Sequence, residues 1–240
     1  MKVILMAAGR GTRISREIND APKCTLRVGN EPLIRYTVEL FLRNNIEVAV
    51  VVGFKHDVVA DSLKGLPVRF FHNPFYDVTN SIASLWFAKS FWTDGDALLM
   101  NADVFIRQDT VNLLTDERRC PMMLVDSSRI KEGDFFFQYK NDVLIKYGKE
   151  LVLEERTGEY IGIAKLEESF RRKFLGKLDE MISTQQHFKW WENVLYTLSD
   201  KGESIYVRDI GGRFWSEIDC IADYQKIQEY CSGKQTHHDC

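Results

Sequence analysis

The sequence predicts an α/β fold: a mostly parallel central sheet with helices on both faces, and a smaller mixed lobe beside it. Three observations carry this expectation. The first half holds short strands that are apolar on both faces. Helical patterns separate them, as crossover connections in a covered parallel sheet require. In the second half, strands follow one another through connections that are polar or carry glycine.

Residues 3–6 open the chain as a strand. Residues 33–42 have helical spacing and lead into a strand at 48–52; residues 58–63 repeat the pattern before a strand at 68–71. Ile82, Leu85, Trp86 and Ala88 give 81–91 a helical period, and 97–100 forms a strand that ends in Asn101-Ala102-Asp103. Right-handed crossovers place the strand C-terminal ends on one edge, so the turn after strand one and Asp103 open onto the same crevice. Beyond residue 120, strands are expected at 122–125, 135–139, 143–147 and 160–164, with Lys140-Asn141-Asp142 closing a hairpin. Helices at 167–181 and 191–198, strands at 205–207 and 214–218, and a helix at 220–230 complete the chain. No repeat or low-complexity linker divides it, so residues 1–240 read as one domain.

Composition narrows the function. Hydrophobic residues make up 45% and charged residues 28%, the balance of an ordinary globular protein. A formal net charge of -3 with no long basic run argues against nucleic-acid binding. No apolar run approaches the roughly 18 residues of a membrane span, and the short apolar start does not read as a signal peptide. Five cysteines without C-x-x-C spacing read as reduced thiols in a cytoplasmic protein. His237, His238 and Cys240 read as a polar tail, not a zinc site.

The most informative motif is Ala7-Ala8-Gly9-Arg10-Gly11-Thr12-Arg13, followed by Pro22-Lys23. Two glycines let backbone approach an anion, and successive N–H groups in such a turn form an anion nest. Arg10, Arg13 and Lys23 add positive charge suited to a triphosphate. The turn is not a P-loop, which needs G-x-x-x-x-G-K-[ST], nor a dinucleotide fingerprint, since Ile14 stands where the third glycine belongs.

With that loop and lysine in order, the chain resembles the nucleotidyltransferase family that makes activated sugars and alcohols. The resemblance implies a Rossmann-like fold, residues 1–120 being mainly the nucleotide-binding half and 121–240 mainly the acceptor-binding half. Ala8, Gly9, Gly11 and Thr12 would then cradle the nucleotide. Asp103, at a strand tip beside the phosphate loop, is placed to hold Mg²⁺, although an aspartate there can also cap the next turn. A strand period of two sets Trp215, Glu217 and Asp219 on one face. Family members hold their metal with an aspartate after the central strand and another late in the chain, and Asp103 and Asp219 match those motifs.

The implied reaction is phosphoryl-type: a phosphate oxygen of the acceptor attacks the nucleotide's α-phosphorus and expels pyrophosphate. An ionised phosphate needs no strong general base, so alignment and charge neutralisation carry the catalysis. Arg13 and Lys23 are the catalytic candidates, facing the β- and γ-phosphates. Loss of Lys23 or of either aspartate would have favoured a non-catalytic nucleotide-binding protein. A glycosyltransferase would bring a D-x-D pair, where this chain has Asn101-Ala102-Asp103.

The acceptor is read from later segments. Asn80-Ser81-Ile82-Ala83-Ser84-Leu85-Trp86 after Asn73-Pro74, Gly158-Glu159-Tyr160-Ile161-Gly162-Ile163-Ala164-Lys165, Trp191-Glu192 and Trp215-Ser216-Glu217-Ile218-Asp219 resemble bacterial choline-phosphate cytidylyltransferases. The resemblance implies CTP and phosphocholine, or a close relative. A quaternary ammonium has no N–H donor and is held by aromatic faces and negative charge. Trp215 with Glu217, and Trp190 with Trp191 and Glu192, offer two such groups, though aromatics at these positions also serve as core. Where the choline enzymes carry a hairpin tryptophan, this chain has Phe135-Phe136-Phe137. That departure keeps open an aminoalkyl phosphonate, another phosphorylated amine, or a sugar 1-phosphate with UTP, dTTP or CTP. Asn80 and Ser84 are candidates for the base or ribose, Asn80 equally for a helix cap. Lys165, and more weakly Lys146 and Lys149, are candidates for the acceptor phosphate. A homodimer is compatible with all of this.

Overall fold

A computed structural model describes residues 1–11, 14 and 18–233. Thr12 and Arg13, two of the nucleotide-facing candidates, and the histidine-bearing tail lie outside the described residues. Nine strands form one mixed sheet: β1 (Lys2–Ala7), β2 (Glu47–Val52), β3 (Val68–His72), β4 (Ala97–Asn101), β5 (Met122–Asp126), β6 (Phe136–Lys140), β7 (Val143–Gly148), β8 (Gly158–Leu166) and β9 (Tyr206–Asp209). Their order is β3-β2-β1-β4-β8-β5-β9-β7-β6. The first four run parallel, as the alternation of strands and helices in the first half requires. β8 enters antiparallel between β4 and β5, and the start of β8 also pairs with β6, so the later half of the sheet curls back on itself.

Seven α-helices among the described residues accompany the sheet: α1 (Leu33–Arg43), α2 (His56–Ser62), α3 (Ser81–Ala88), α4 (Gln108–Asp116), α5 (Glu168–Ser183), α6 (Asn193–Asp200) and α7 (Ile221–Gly233). The central strands bury both faces because both are apolar. Ile4, Ala49 and Leu99 pack with Leu85 of α3, Phe174 of α5 and Leu195 of α6. Val3, Leu5 and Val50 pack with Ile34 and Phe41 of α1 and Val111 and Leu114 of α4. A third cluster joins Ile218 and Ile227 of the C-terminal segment to Ile14, Val28 and Phe105.

The parallel strands, the hairpin and the closing helix fall where the sequence places them. Asn141 and Asp142 both take positive φ (52° and 59°) between paired Lys140 and Val143, a two-residue turn of the type hairpin twist favours. Some boundaries move. The strand expected over 214–218 is only Ser216–Glu217, and the helix expected from 191 begins at Asn193. α4 was not anticipated at all.

Candidate active site

Two short elements bring the acids together. Ser216–Glu217 pairs antiparallel with Val104–Phe105, in register Glu217 opposite Val104 and Ser216 opposite Phe105. The Ile218 N–H donates to the Asp103 carbonyl at 3.0 Å. The late acids therefore lie across from the tip of β4, and ligand oxygens of Asp103, Glu217 and Asp219 all fall within 4.8 Å of one another. Sequence reasoning assigned Glu217 to the acceptor; its carboxylate stands with the two aspartates.

Lys23 reaches into the same cluster. Pro22 precedes a single 3-10 turn, Lys23–Thr25, which fixes the lysine in a buried position. Its Nζ lies 2.6 Å from Asp219 Oδ1 and 3.5 Å from Asp103 Oδ2. Gly11 takes φ +64°, and a Cβ there would sit 2.8 Å from Lys23 Cγ. This position needs glycine for its conformation and for the passage of the lysine stem. Arg10 is exposed, its guanidinium 5.3 Å from the Phe54 ring.

Electrostatics follow from three carboxylates around one ammonium. Burial works to lower the Lys23 pKa, but the charges of Asp103, Asp219 and Glu217 outweigh it and hold the lysine above its ordinary value. Burial pushes Asp103 up against the opposing pull of Lys23, with Asp219 adding to the rise. Glu217 is driven well above the carboxylate range by burial and then by the two aspartates. The excess negative charge suits a divalent cation: carboxylate oxygens are the hard ligands that Mg²⁺ takes. The donor set fits that ion, and Asp103, Glu217 and Asp219 are the residues that could hold it.

Beside the acids lies an open cavity of about 250 Å³. Of the residues singled out from sequence, Ala8, Gly9, Asn80, Ser84, Asp103, Trp190, Glu192 and Glu217 line it. Asn80 also caps α3, its Oδ1 accepting from the Ser81 N–H at 2.7 Å. Ser84 is buried and accepts from Asn73 Nδ2 at 3.0 Å. The loop carrying Trp190 and Glu192 is tied to the start of α3. Asn80 N–H donates to the His187 carbonyl at 2.8 Å, and Trp191 N–H to Ser81 Oγ at 3.0 Å.

Glu192 is 6% exposed, and Asn101 Nδ2 donates to its Oε1 at 3.3 Å. No cation among the described residues pairs with it. Burial pushes its carboxyl up to about 7, with the Asp103 charge contributing. Asn101 also accepts from Trp191 Nε1 at 2.8 Å, which fixes the amide between the two.

Trp215 is placed differently from the expectation. It is buried, does not line the cavity, and donates from Nε1 to Asp126 Oδ2 at 2.8 Å. Phe135 stands at the cavity instead, stacked on Tyr196 (5.6 Å, 9°) and edge-on to Trp190 (6.0 Å, 88°). Sequence reasoning missed Tyr76, Asn101, Tyr160 and Tyr196 on the cavity wall, and ranked Lys149 low although it lines the wall too. Lys165 is buried at the far end of β8, opposite Leu98 and Met122 at the starts of their strands, and donates to the Glu117 carbonyl. It faces away from the crevice edge.

Residues 3–159 match the MobA-like NTP transferase domain. The chain belongs to that family. As a MobA-like NTP transferase it is a nucleotidyltransferase, and its α/β architecture agrees with solved relatives. It is 28% identical to the CTP:phosphoglutamine cytidylyltransferase of Campylobacter jejuni, over 94% of this chain and 98% of that protein. It is 23% identical to the choline-phosphate cytidylyltransferase of Streptococcus pneumoniae, over 95% of this chain and 97% of that one. The solved CTP:phosphocholine cytidylyltransferase of Streptococcus pneumoniae superposes with a TM-score of 0.77 at 21% identity, covering 95% of this chain and 98% of that one. The inositol-1-phosphate CTP transferase of T. maritima gives a TM-score of 0.80 at 18% identity, covering 100% and 98%. These superpositions speak to the fold. No helix among the described residues is long and apolar enough to cross a membrane.

Proposed function

We propose that this MobA-like NTP transferase joins CTP to a small phosphorylated amine, phosphocholine or a close analogue, giving a CDP-linked product and pyrophosphate. One observation carries the reading. Lys23 and three carboxylates from distant parts of the chain converge beside the Ala8-Gly9 turn, at the mouth of an aromatic-walled cavity with a buried acid, Glu192, that no cation among the described residues pairs with. The choice of CTP is supported by the names of the relatives that match along nearly the whole chain.

In this reading the backbone at Ala8, Gly9 and Gly11 receives the triphosphate, and Thr12 and Arg13 are further candidates to contact it. Asn80 and Ser84 face the base and ribose. Asp103, Glu217 and Asp219 would hold Mg²⁺, which when bound would neutralise phosphate charge and polarise the phosphorus under attack. Lys23 offsets negative charge that builds on the leaving pyrophosphate, a gain specific to the transition state. The acceptor's own phosphate is ionised near neutral pH, so the chain needs only to align it. Glu192 serves as counter-ion to the acceptor's nitrogen, with Trp190, Phe135 and Tyr196 giving aromatic faces to its carbon substituents. The enzyme is read as cytoplasmic, in keeping with the free thiols at Cys24, Cys120 and Cys220.

The test is pyrophosphate release with four nucleoside triphosphates against phosphocholine, an aminoalkyl phosphonate and glucose 1-phosphate. CTP with one of the amines is expected to give the fastest turnover. Turnover confined to glucose 1-phosphate with UTP or dTTP would instead identify a sugar-1-phosphate nucleotidyltransferase.

A further inference from the structure

Behind the acceptor side of the cavity runs a line of charged contacts that the reaction above does not use. Trp215 donates to Asp126, and Arg129 lies over the same indole, its guanidinium carbon 4.4 Å from the ring centroid. Arg129 Nη2 donates to the Trp215 carbonyl at 3.1 Å. The same guanidinium stands 3.6 Å from Asp126 Oδ2 and 3.7 Å from Glu159 Oε2. Glu159 is itself buried, and its Oε1 accepts the Asp134 N–H at 3.0 Å. Gly133 lies so close that a Cβ there would sit 2.5 Å from the Glu159 carboxyl carbon. The next two residues, Asp134 and Phe135, line the cavity. At the other end of the line, Trp215 is followed two positions later by Glu217.

We infer that Arg129 and Glu159 are positioning residues: together they lock the segment 127–135 against the strand that carries Glu217, and so set the acceptor wall in register with the acid cluster. The inference rests on the proposed function for the meaning of that wall. Stability alone does not call for these charges, because a buried ion pair can be replaced by apolar side chains at little cost. Here Glu159 receives the Asp134 amide, while Arg129 answers its charge. Among the described residues Glu159 Oε2 has no hydrogen-bond partner, and Arg129 is the group that compensates it. Removing Arg129 leaves Glu159 buried without its cation, and removing Glu159 takes away the acceptor of the Asp134 amide; either change frees the wall to shift.

The experiment compares Glu159→Ala, Glu159→Gln, Arg129→Met and Arg129→Lys with wild type in steady-state kinetics, using CTP and whichever acceptor wild type turns over best. Glu159→Ala and Arg129→Met are expected to raise the acceptor KM about tenfold, with the CTP KM changed by less than about twofold and kcat at saturation nearly kept. Glu159→Gln keeps an acceptor for the Asp134 amide and Arg129→Lys keeps the charge, so both are expected to fall between. Equal rises in both KM values, or no change in either, would overturn the inference. Hydrogen exchange over 127–135 gives a readout that needs no turnover. Glu159→Gln should speed it while exchange at Ala8–Gly11 stays as in wild type; unchanged exchange over 127–135 would also overturn the inference. Wild type inactive with every phosphorylated amine, but with this exchange pattern present, would sink the acceptor reading and leave the positioning role standing.

Discussion

Lys23 and Asp219 lie 196 positions apart in the sequence, and their side chains meet at 2.6 Å. The contact closes the ring formed by the glycine turn, the tip of β4 and the short strand Ser216–Glu217. Because Lys23 also faces Asp103 at 3.5 Å, one buried ammonium answers two acids that the fold brings from different halves.

Replacing either aspartate by asparagine should therefore remove catalysis while the fold persists. Asp103→Asn and Asp219→Asn are each expected to lower kcat/KM by about 10²–10³-fold or more, the scale of losing one electrostatic stabiliser. Pyrophosphate release and circular dichroism on the same preparations check both halves of the claim.

Lys23→Met should act on stability as well as rate. It leaves three half-buried acids without their cation, a loss of at most roughly 3–5 kcal/mol, the scale of a broken buried pair. Thermal melts should show a lowered midpoint that Mg²⁺ partly restores, because the ion supplies the missing positive charge. A midpoint unmoved by Mg²⁺ would count against the acids as its ligands.

Gly11→Ala forces an L-residue into φ +64° and a Cβ against Lys23. A penalty of about 1–3 kcal/mol is expected from the backbone alone, together with a raised KM for CTP. Titration calorimetry with CTP separates the binding loss from the loss of stability.

Glu192 gives the protein a pH signature. Burial holds its carboxyl at about 7, above the ordinary 4.5. A carboxyl raised in the folded state contributes stability that is fully present below the ordinary pKa and is lost as pH rises through the folded one. The melting midpoint without ligands should thus fall as pH rises from about 4.5 to about 7. Glu192→Gln should flatten part of that slope, the rest belonging to the other raised carboxyls: Glu159, which burial also raises to about 7, and Asp103 and Glu217. A cationic acceptor reverses the sign for Glu192, since ionisation then creates its partner; acceptor affinity should grow with pH in wild type and less so in the glutamine variant.

The two tryptophans single out what each side of the site does. Trp190 is partly exposed on the cavity, and Trp190→Ala is expected to raise the acceptor KM with little change in melting. Trp215→Phe loses the hydrogen bond to buried Asp126, at a cost of about 1–3 kcal/mol. It should show mainly in the melt.

Much of this was legible beforehand. Strands apolar on both faces, a glycine turn after the first, and an aspartate after β4 put the proposed nucleotide side on one edge, because backbone topology alone gathers those strand ends there. The late acids were also legible as a pair at period two. Trp215 was not, since regular pairing lasts only for Ser216–Glu217, and before it the indole turns to Asp126. Helix α4 escaped notice because it buries only Thr110, Val111 and Leu114 among polar neighbours. The acceptor wall was the least visible part. Asn101, Tyr160 and Tyr196 belong to three separate elements and share no local spacing; only the antiparallel entry of β8 beside β4 unites them. There Gly162, at φ +79° in the bulged stretch of β8, lets the strand pass close to Asn101, where a Cβ would lie 3.2 Å from the amide nitrogen.

The central claim is that one metal-bound nucleoside triphosphate joins the amino-terminal turn to Asp103 and Asp219. A crystal grown with CTP and Mn²⁺, read by anomalous scattering, tests it most directly. The expected result is a metal peak between those two carboxylates with the triphosphate lying along Ala8–Gly11. A metal bound elsewhere, with CTP away from that turn, would contradict it.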